Sequence, residues 1–378
     1  MKTEYRICTN CVMDTSDSQI TFNEDGVCDH CTSFYNNVLN HWHPDENGKK
    51  ELLKEVTKIK SEGQGKEFDC LLGLSGGVDS SYMLHLAVKE FGLRPLVFHV
   101  DGGWNTELSV HNIQVMIDKL GLDLYTEVIN WEEMKSFQLA FFKSGVPHID
   151  IPQDHAFIAT LYNYAYKYNI KYILNGGNIS TEGIRNPMEF YYYGTDMKQI
   201  NYIRKHFCEN KLETYPFSSI LRHKFYLRYI KGIKVLKFLD YLPYNKKDAI
   251  RTLQEEYDWT PYPQKHFESR FTKFFESYWL PERFGFDPRR VQFSSLIVTG
   301  QMTREYASEE LKNPAYNPET IENDVNYIAS KLEISKEELM SYFNIDKKFY
   351  WDYPNQQSMF RIGAKILNFL GVEKSVKR

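Results

Sequence analysis

The sequence predicts an α/β protein: a doubly wound parallel sheet with an N-terminal zinc ribbon and a helical C-terminal region. Three observations lead there. Short apolar runs alternate with stretches of helical periodicity between residues 69 and 178. Glycine-containing turns close three of those runs: Ser75-Gly76-Gly77, Asp101-Gly102-Gly103-Trp104 and Asn175-Gly176-Gly177-Asn178. Two Cys-x2-Cys pairs stand near the start, Cys8 with Cys11 and Cys28 with Cys31. Strands alternating with helices imply parallel pairing. Such sheets bind ligands beyond the carboxyl ends of their strands, where all three turns fall.

Taken in order, residues 1–35 read as the ribbon. Two cysteine knuckles bring four thiolates to tetrahedral spacing around Zn²⁺, and four Cys ligands close the coordination sphere, so the role is structural. A redox role is the rival, but no βαβ pattern surrounds either pair. His30 is a bystander. Residues 36–66 form a helical connector, with Leu52, Leu53, Val56 and Ile59 at helical spacing. Residues 67–190 form the sheet core, with strands at 69–74, 95–101, 123–128 and 172–178 and helices at 78–91, 105–120, 132–142 and 155–169. Residues 191–378 read as a mostly helical region that completes the site; within it, 196–260 is helical, basic and aromatic. The tail carries helices at 304–311, 320–332, 336–343 and 358–370, and Ser335 with Glu338 has capping-box spacing.

Composition narrows the class. Hydrophobic residues are 42% and charged residues 25%, ordinary for a soluble protein. The aromatic share of 15% is high, and packing with a composition bias accounts for it. A net charge of −4 gives no general affinity for nucleic acid. No run approaches the roughly 20 apolar residues of a membrane span, so no membrane partner is expected. The polar start, Met1-Lys2-Thr3-Glu4, lacks a signal-peptide core, and a cytoplasmic location follows. The six cysteines are then not read as disulfides.

The stretch 71–81, LLGLSGGVDSS, is a buried strand, a glycine turn and a helix start. That geometry makes an anion site: backbone N–H groups and the helix dipole point at the ligand. It is not the GxxxxGK[ST] pattern, because no lysine follows the second glycine. Two loops carry polar side chains toward the same edge. In 149–155, Asp154 reads as a helix N-cap, and capping is the alternative to a ligand role for Asp154 and His155. In 178–186, Asn178, Ser180, Thr181, Glu182 and Arg185 suit a polar substrate, with a solvated loop as the alternative. Cations cluster among the aromatics of 265–275 and at Arg283, Arg289 and Arg290.

Ser-Gly-Gly-x-Asp-Ser resembles the PP-loop of ATP pyrophosphatases, whose sheet is of the adenine nucleotide alpha hydrolase type and which split ATP into AMP and pyrophosphate. With the cysteine knuckles, the Asn175–Asn178 turn, the segment Lys265-His266-Phe267-Glu268-Ser269 and the run 296–304, the chain resembles the N-acetyl sugar amidotransferases of bacterial lipopolysaccharide and flagellin-glycan biosynthesis. The resemblance covers 8–31, 69–104, 147–186 and 260–315. Members of pseudaminic and legionaminic acid pathways are closest in length. The resemblance implies an enzyme that activates an acetamido oxygen with ATP as an O-adenylyl imidate and displaces AMP with ammonia. Ser75, Gly76, Gly77, Ser80 and Ser81 would then cradle pyrophosphate. Asp79 would hold Mg²⁺, or stand as an ordinary first-turn carboxylate. Phe98, His99, Val100 and Asp101 would line the adenosine site, with Gly176 and Gly177 facing the nucleotide. Lys265 and His266 would contact phosphate or the transition state, with Arg270 behind them. Asp154, His155, Asn178, Ser180, Thr181, Glu182 and Arg185 would meet the sugar or sugar-nucleotide substrate. Ammonia would come from separate partners similar to the glutaminase and cyclase subunits of imidazole glycerol phosphate synthase. The alternative is a tRNA thiolation enzyme of the same superfamily. Such enzymes need further cysteines near the site, and here only Cys70 and Cys208 remain.

Overall fold

The computed structural model describes residues 4–369. Five parallel strands form one sheet in the order β3-β2-β1-β4-β5, with β1 Cys70–Gly73, β2 Pro95–Asp101, β3 Leu124–Val128, β4 Tyr172–Asn175 and β5 Lys234–Lys237. Side chains alternate across a strand, and here the two faces enter different cores. Leu72, Val97 and Leu174 pack beneath the helices Glu46–Glu62, Val78–His85, Glu107–Leu120 and Lys246–Tyr257. Leu71, Leu96 and Ile173 pack beneath Ile151–Lys167 and Leu221–Ile230. The doubly wound sheet is therefore built as expected. The chain runs outward from β1 through β2 to β3, then returns to lay β4 on the other side of β1. That reversal places a crevice beyond the carboxyl ends of β1 and β4.

β5 is a correction. The pattern of 196–260 reads as helical throughout, yet 234–237 pairs with 172–175. The run Lys-Val-Leu-Lys is too short and too charged to show a strand period, and it is an edge strand in which only Leu236 is buried. Pairing with β4, not local propensity, makes it a strand. The sheet thus extends past residue 190.

Helix starts follow their caps. Thr106 Oγ1 accepts from Ser109 N, and Asn130 Oδ1 accepts from Glu133 N. Asp154 is not the cap expected for it: the helix begins at Ile151, and Pro152 sits in its first turn, where no N–H is needed. Ser335 caps its helix as expected, but the Glu338 carboxylate turns to Tyr342 Oη at 2.8 Å, so the reciprocal half of the box is missing. Of the helix expected at 358–370, Leu370 lies outside the described residues.

The C-terminal helices and Trp131–Ser144 share a large aromatic core. Phe142 meets Phe271, Trp279 and Tyr342 within it. The clustered arginines are structural here. Arg283 donates to the carbonyls of Tyr342 and Ile345, and Arg289 pairs with Asp287 and the Asn313 carbonyl. Arg290 and Arg304 reach the N-terminal module: Arg290 bonds Asp14 and the Val12 carbonyl, and Arg304 the carbonyls of Cys8 and Cys11. Among the described residues no helix is long and apolar enough to cross a membrane.

Candidate active site

After β1 the chain turns through Gly76 with φ +81°, and a Cβ there would stand 2.7 Å from the Ser109 carbonyl oxygen. The Gly76 carbonyl accepts from Trp259 Nε1 and Tyr262 Oη, both at 3.2 Å. Gly77 N donates to Ser75 Oγ at 3.3 Å, and Ser75 Oγ lies 3.1 Å from Ser80 Oγ. The loop is thus held open with the start of the Val78–His85 helix facing out. Gly76→Ala is expected to cost about 1–3 kcal/mol from backbone strain alone, measured as a drop in the thermal midpoint.

The second glycine turn abuts the first because β1 and β4 are neighbours. A Cβ on Gly176 would meet the Asp79 and Ser80 backbone at 3.2 Å. Between them lies a polar cavity of about 240 Å³, walled by Ser75, Gly77, Asp79, Gly176, Gly177 and the far segment 259–268. An apolar cavity of about 230 Å³ adjoins it across Ser75 and Glu268, lined by Phe98, His99, Val100, Phe157 and Leu161. His99 is fixed at both nitrogens: Asn105 Nδ2 donates to Nε2 at 2.9 Å, which leaves Nδ1–H for the Leu74 carbonyl at 2.8 Å. A third cavity of about 320 Å³ adjoins the polar one across Lys246, Ile250, Gln264 and Lys265, and reaches Arg289, Phe293 and Tyr306.

Charges in the polar cavity are ordered. Asp79 Oδ1 accepts from Tyr244 Oη at 2.5 Å and Asn178 Nδ2 at 3.3 Å. Lys265 Nζ lies 2.6 Å from Glu182 Oε1 and 3.9 Å from Asp79 Oδ2. Burial opposes the Lys265 ammonium, but these two carboxylates outweigh it and hold its pKa above the ordinary lysine value. Burial dominates at Lys246 and lowers its pKa. His266, with φ +64°, donates from Nδ1 to Glu276 Oε1 at 2.9 Å. Burial opposes its imidazolium too, and the Glu276 carboxylate overrides it, raising the pKa to about 9. Glu276 is 8% exposed and also accepts from Tyr191 Oη at 3.0 Å and Gln292 Nε2 at 3.3 Å. Burial raises the Glu268 pKa.

Ser75, Gly77, Asp79, Ser80, Gly176, Gly177, Glu182, Lys265 and His266 all line the polar cavity. Phe98, His99 and Val100 line the apolar one, and Thr181 the third. Other expected site residues stand elsewhere. Ser81 is fully buried behind the loop, one helical step past the turn. Asp101 accepts from Gly103 N at 2.7 Å and closes its own turn. Arg270 points away from the cavity and lies 4.2 Å over the Tyr327 ring. Asp154 pairs with His148 at 3.2 Å, while His155 bonds the Gly194 carbonyl and Ser218 N, joining helix to loop. Ser180 is buried, and its carbonyl accepts from Thr299 and Gln301. Arg185 lines a fourth hollow, beside His30 and Phe34 of the N-terminal module, that meets the polar cavity only at Glu182. Asn178 supports Asp79 and caps the Ile179–Glu182 turn.

Lys246, Tyr244, Trp259, Tyr262, Glu268 and Glu276 escaped sequence reasoning. Only Glu268 carried a signal, being inside the segment 265–269. The rest come to the site through tertiary packing of a region whose pattern suggested only helices.

The residues fit the two metals the sequence implies. The four cysteine ligand atoms lie within 4.8 Å of one another, and Cys11 and Cys28 sulfurs are 3.7 Å apart. Tetrahedral Zn–S bonds of about 2.3 Å require roughly this separation. Backbone N–H groups of Asn10, Cys11 and Cys28 aim at Cys8 Sγ, as they do at a thiolate. Cys11→Ser is expected to abolish bound zinc and lower the thermal midpoint, read by metal analysis and melting. For Mg²⁺, Asp79 and Glu268 are two carboxylates on one cavity, the donor set that suits Mg²⁺ with phosphates.

Residues 268–367 match the family model of the C-terminal domain of WbpG-like LPS biosynthesis proteins. The match starts at Glu268 and takes in the Arg289, Phe293 and Tyr306 side of the third cavity. No curated protein matches the chain in sequence. Solved structures similar to it include an NMN synthetase from Francisella tularensis, 16% identical, covering 76% of this chain and 96% of that one at a TM-score of 0.32. An NH3-dependent NAD synthetase from Campylobacter jejuni is 14% identical, covering 55% and 93%, at 0.28. The U34-tRNA thiolase NcsA from Methanococcus maripaludis is 14% identical, covering 71% and 81%, at 0.32. At such scores none of the three bears on function.

Proposed function

We propose that the chain is an ATP-dependent, AMP-forming amidotransferase that converts an N-acetyl group of a bacterial surface-glycan sugar to an acetamidino group. The observation that carries this reading is the contiguity of the three cavities. A lysine-free glycine loop and helix start suit pyrophosphate, the apolar cavity suits adenine, and the third suits a polar acceptor at the lysines. The WbpG-like match over 268–367 supports a place in surface-polysaccharide chemistry.

In this reading an acetamido oxygen attacks the α-phosphorus and pyrophosphate departs, leaving an O-adenylyl imidate. Ammonia adds to the imidate carbon and AMP leaves, with protons passing to solvent. Bound Mg²⁺ would neutralise phosphate charge beside Asp79 and Glu268. Lys265 and Lys246 offset charge that grows on the leaving pyrophosphate, and His266, held as an imidazolium by Glu276, adds a third cation. Tyr244 and Asn178 keep Asp79 in place. Ammonia is supplied by a separate glutaminase partner in a cytoplasmic setting.

Cysteine placement goes against thiolation. Cys70 is fully buried in β1, and Cys208 lies against Ser136 Oγ at 3.2 Å, so neither lines a cavity of the site. The test is mass spectrometry of acetamido sugars and sugar nucleotides incubated with ATP, Mg²⁺ and ammonium. A loss of about 1 Da with equimolar AMP is expected. AMP release with no shift in any pseudaminic, legionaminic or diacetamido-uronic precursor would overturn the sugar assignment.

A further inference from the structure

Residues 214–239 hold six Lys or Arg and no Asp or Glu, in a chain whose acidic residues outnumber its basic ones 50 to 46. They build the helix Leu221–Ile230 and the edge strand β5, at the end of the sheet away from β3. The helix buries His223 and Leu227 against the sheet and turns Leu221, Phe225 and Ile230 outward, each more than half exposed. Large apolar side chains in that position are unusual for a free surface, and contiguous patches of them mark docking sites. Cations frame the patch. Lys231 Nζ sits 5.2 Å over the Tyr166 ring and 5.4 Å over the Tyr226 ring, and Lys224, Lys231 and Lys234 form no ion pair among the described residues.

Between the same helix and β5 lies a cavity of about 270 Å³, separate from the three of the active site. Lys224, Arg228 and Lys234 line it with the phenols of Tyr162, Tyr172 and Tyr241, against the single carboxylate of Glu55. His223, buried on its wall, has an Nδ1 with no hydrogen-bond partner. Burial lowers the His223 pKa to about 4, so the ring is neutral. The hollow is cationic and phenol-lined, and the helix that walls it with His223, Lys224 and Arg228 carries Leu221, Phe225 and Ile230 exposed; the two together are complementary to an amphiphile with a phosphate head.

We propose that the face built by 221–237 docks on an anionic lipid bilayer, seating a lipid phosphate in the cavity between the Leu221–Ile230 helix and β5. Apolar side chains enter the interface while Lys and Arg meet anionic headgroups, the pattern of a helix lying in the membrane plane. The lack of a spanning run leads to an expectation of no membrane partner, but a surface-docking face needs no span. The proposal is independent of the reaction assigned above.

Sedimentation of the full chain with phosphatidylcholine vesicles, with and without phosphatidylglycerol, tests it. Binding to the anionic vesicles alone, weakened by salt, is expected. Phe225→Glu with Ile230→Glu, and separately Lys224→Glu with Lys234→Glu, are expected to weaken it about tenfold or more. Soluble glycerol phosphate is expected to compete only weakly, which separates a lipid surface from a free phosphate ester. Equal binding to neutral vesicles, no binding to either, or unchanged binding in both variant pairs would overturn the proposal. So would a wild-type dimer that the apolar variants convert to monomer, or RNA bound by the face in preference to vesicles.

Discussion

Lys265→Ala is expected to slow pyrophosphate release about a hundredfold to a thousandfold, the usual loss when one preorganised donor to a developing oxyanion is removed. Lys265 stands where the polar and third cavities meet, and its Nζ is held by Glu182 at 2.6 Å with Asp79 further off at 3.9 Å. Removal leaves two carboxylates facing incoming phosphates without their cation. The lysine acts most strongly on charge that appears as the leaving group departs, so kcat is expected to fall more than the KM for ATP rises. Lys265→Arg keeps the charge but not the compact ammonium that fits between two carboxylates, and is expected to recover only part of the rate. Rapid-quench measurement of pyrophosphate, with circular dichroism to confirm folding, checks both. A Lys265→Ala variant at full rate removes the residue from the mechanism.

The second large effect is on pH dependence. His266 carries a folded-state pKa of about 9, against about 6.5 for a free imidazole. Burial alone would push it the other way, so the Glu276 carboxylate sets the sign. A cationic His266 then serves the site across neutral pH, and activity is expected to decline as pH rises through 9. In Glu276→Gln the hydrogen bond can persist but the negative charge is gone. The alkaline limb is expected to move down to about 6.5 or below, with activity at pH 8 falling about tenfold or more. Stability follows the same linkage. A pKa raised on folding stabilises fully below the unfolded value near 6.5, and the contribution is lost as pH rises through about 9. Titration of the His266 ring by NMR in both proteins gives the direct readout. An unchanged ring pKa in Glu276→Gln would show that Glu276 is not what holds the proton.

Legibility varied with the range of the interaction. The glycine turns were readable because their constraint is local: Gly76 needs φ +81° whatever surrounds it. The four cysteines were readable because metal-ligand spacing is written into adjacent residues, and the structure gathers all four. Lys265 and His266 were readable only through resemblance, since nothing in their own segment says which strand ends they face. Arg270 shows the limit. It shares the segment of Lys265, yet the helix Arg270–Phe274 turns it onto Tyr327. Asp154 and His155 were polar residues at a helix start, and such residues bond neighbouring loops as readily as ligands.

By itself, then, the sequence determined the parallel doubly wound sheet, the cysteine cluster and the strand-to-helix glycine loop, because period, spacing and φ requirements act over a few residues. Only the tertiary structure decided that 234–237 is a strand, that Glu276 charges His266, that Lys246 and Glu268 complete the cavity, and that Tyr244 holds Asp79. Those outcomes depend on contacts between segments tens to hundreds of residues apart. No local pattern encodes them, because a lysine or a glutamate looks the same whether it meets water or a cavity wall.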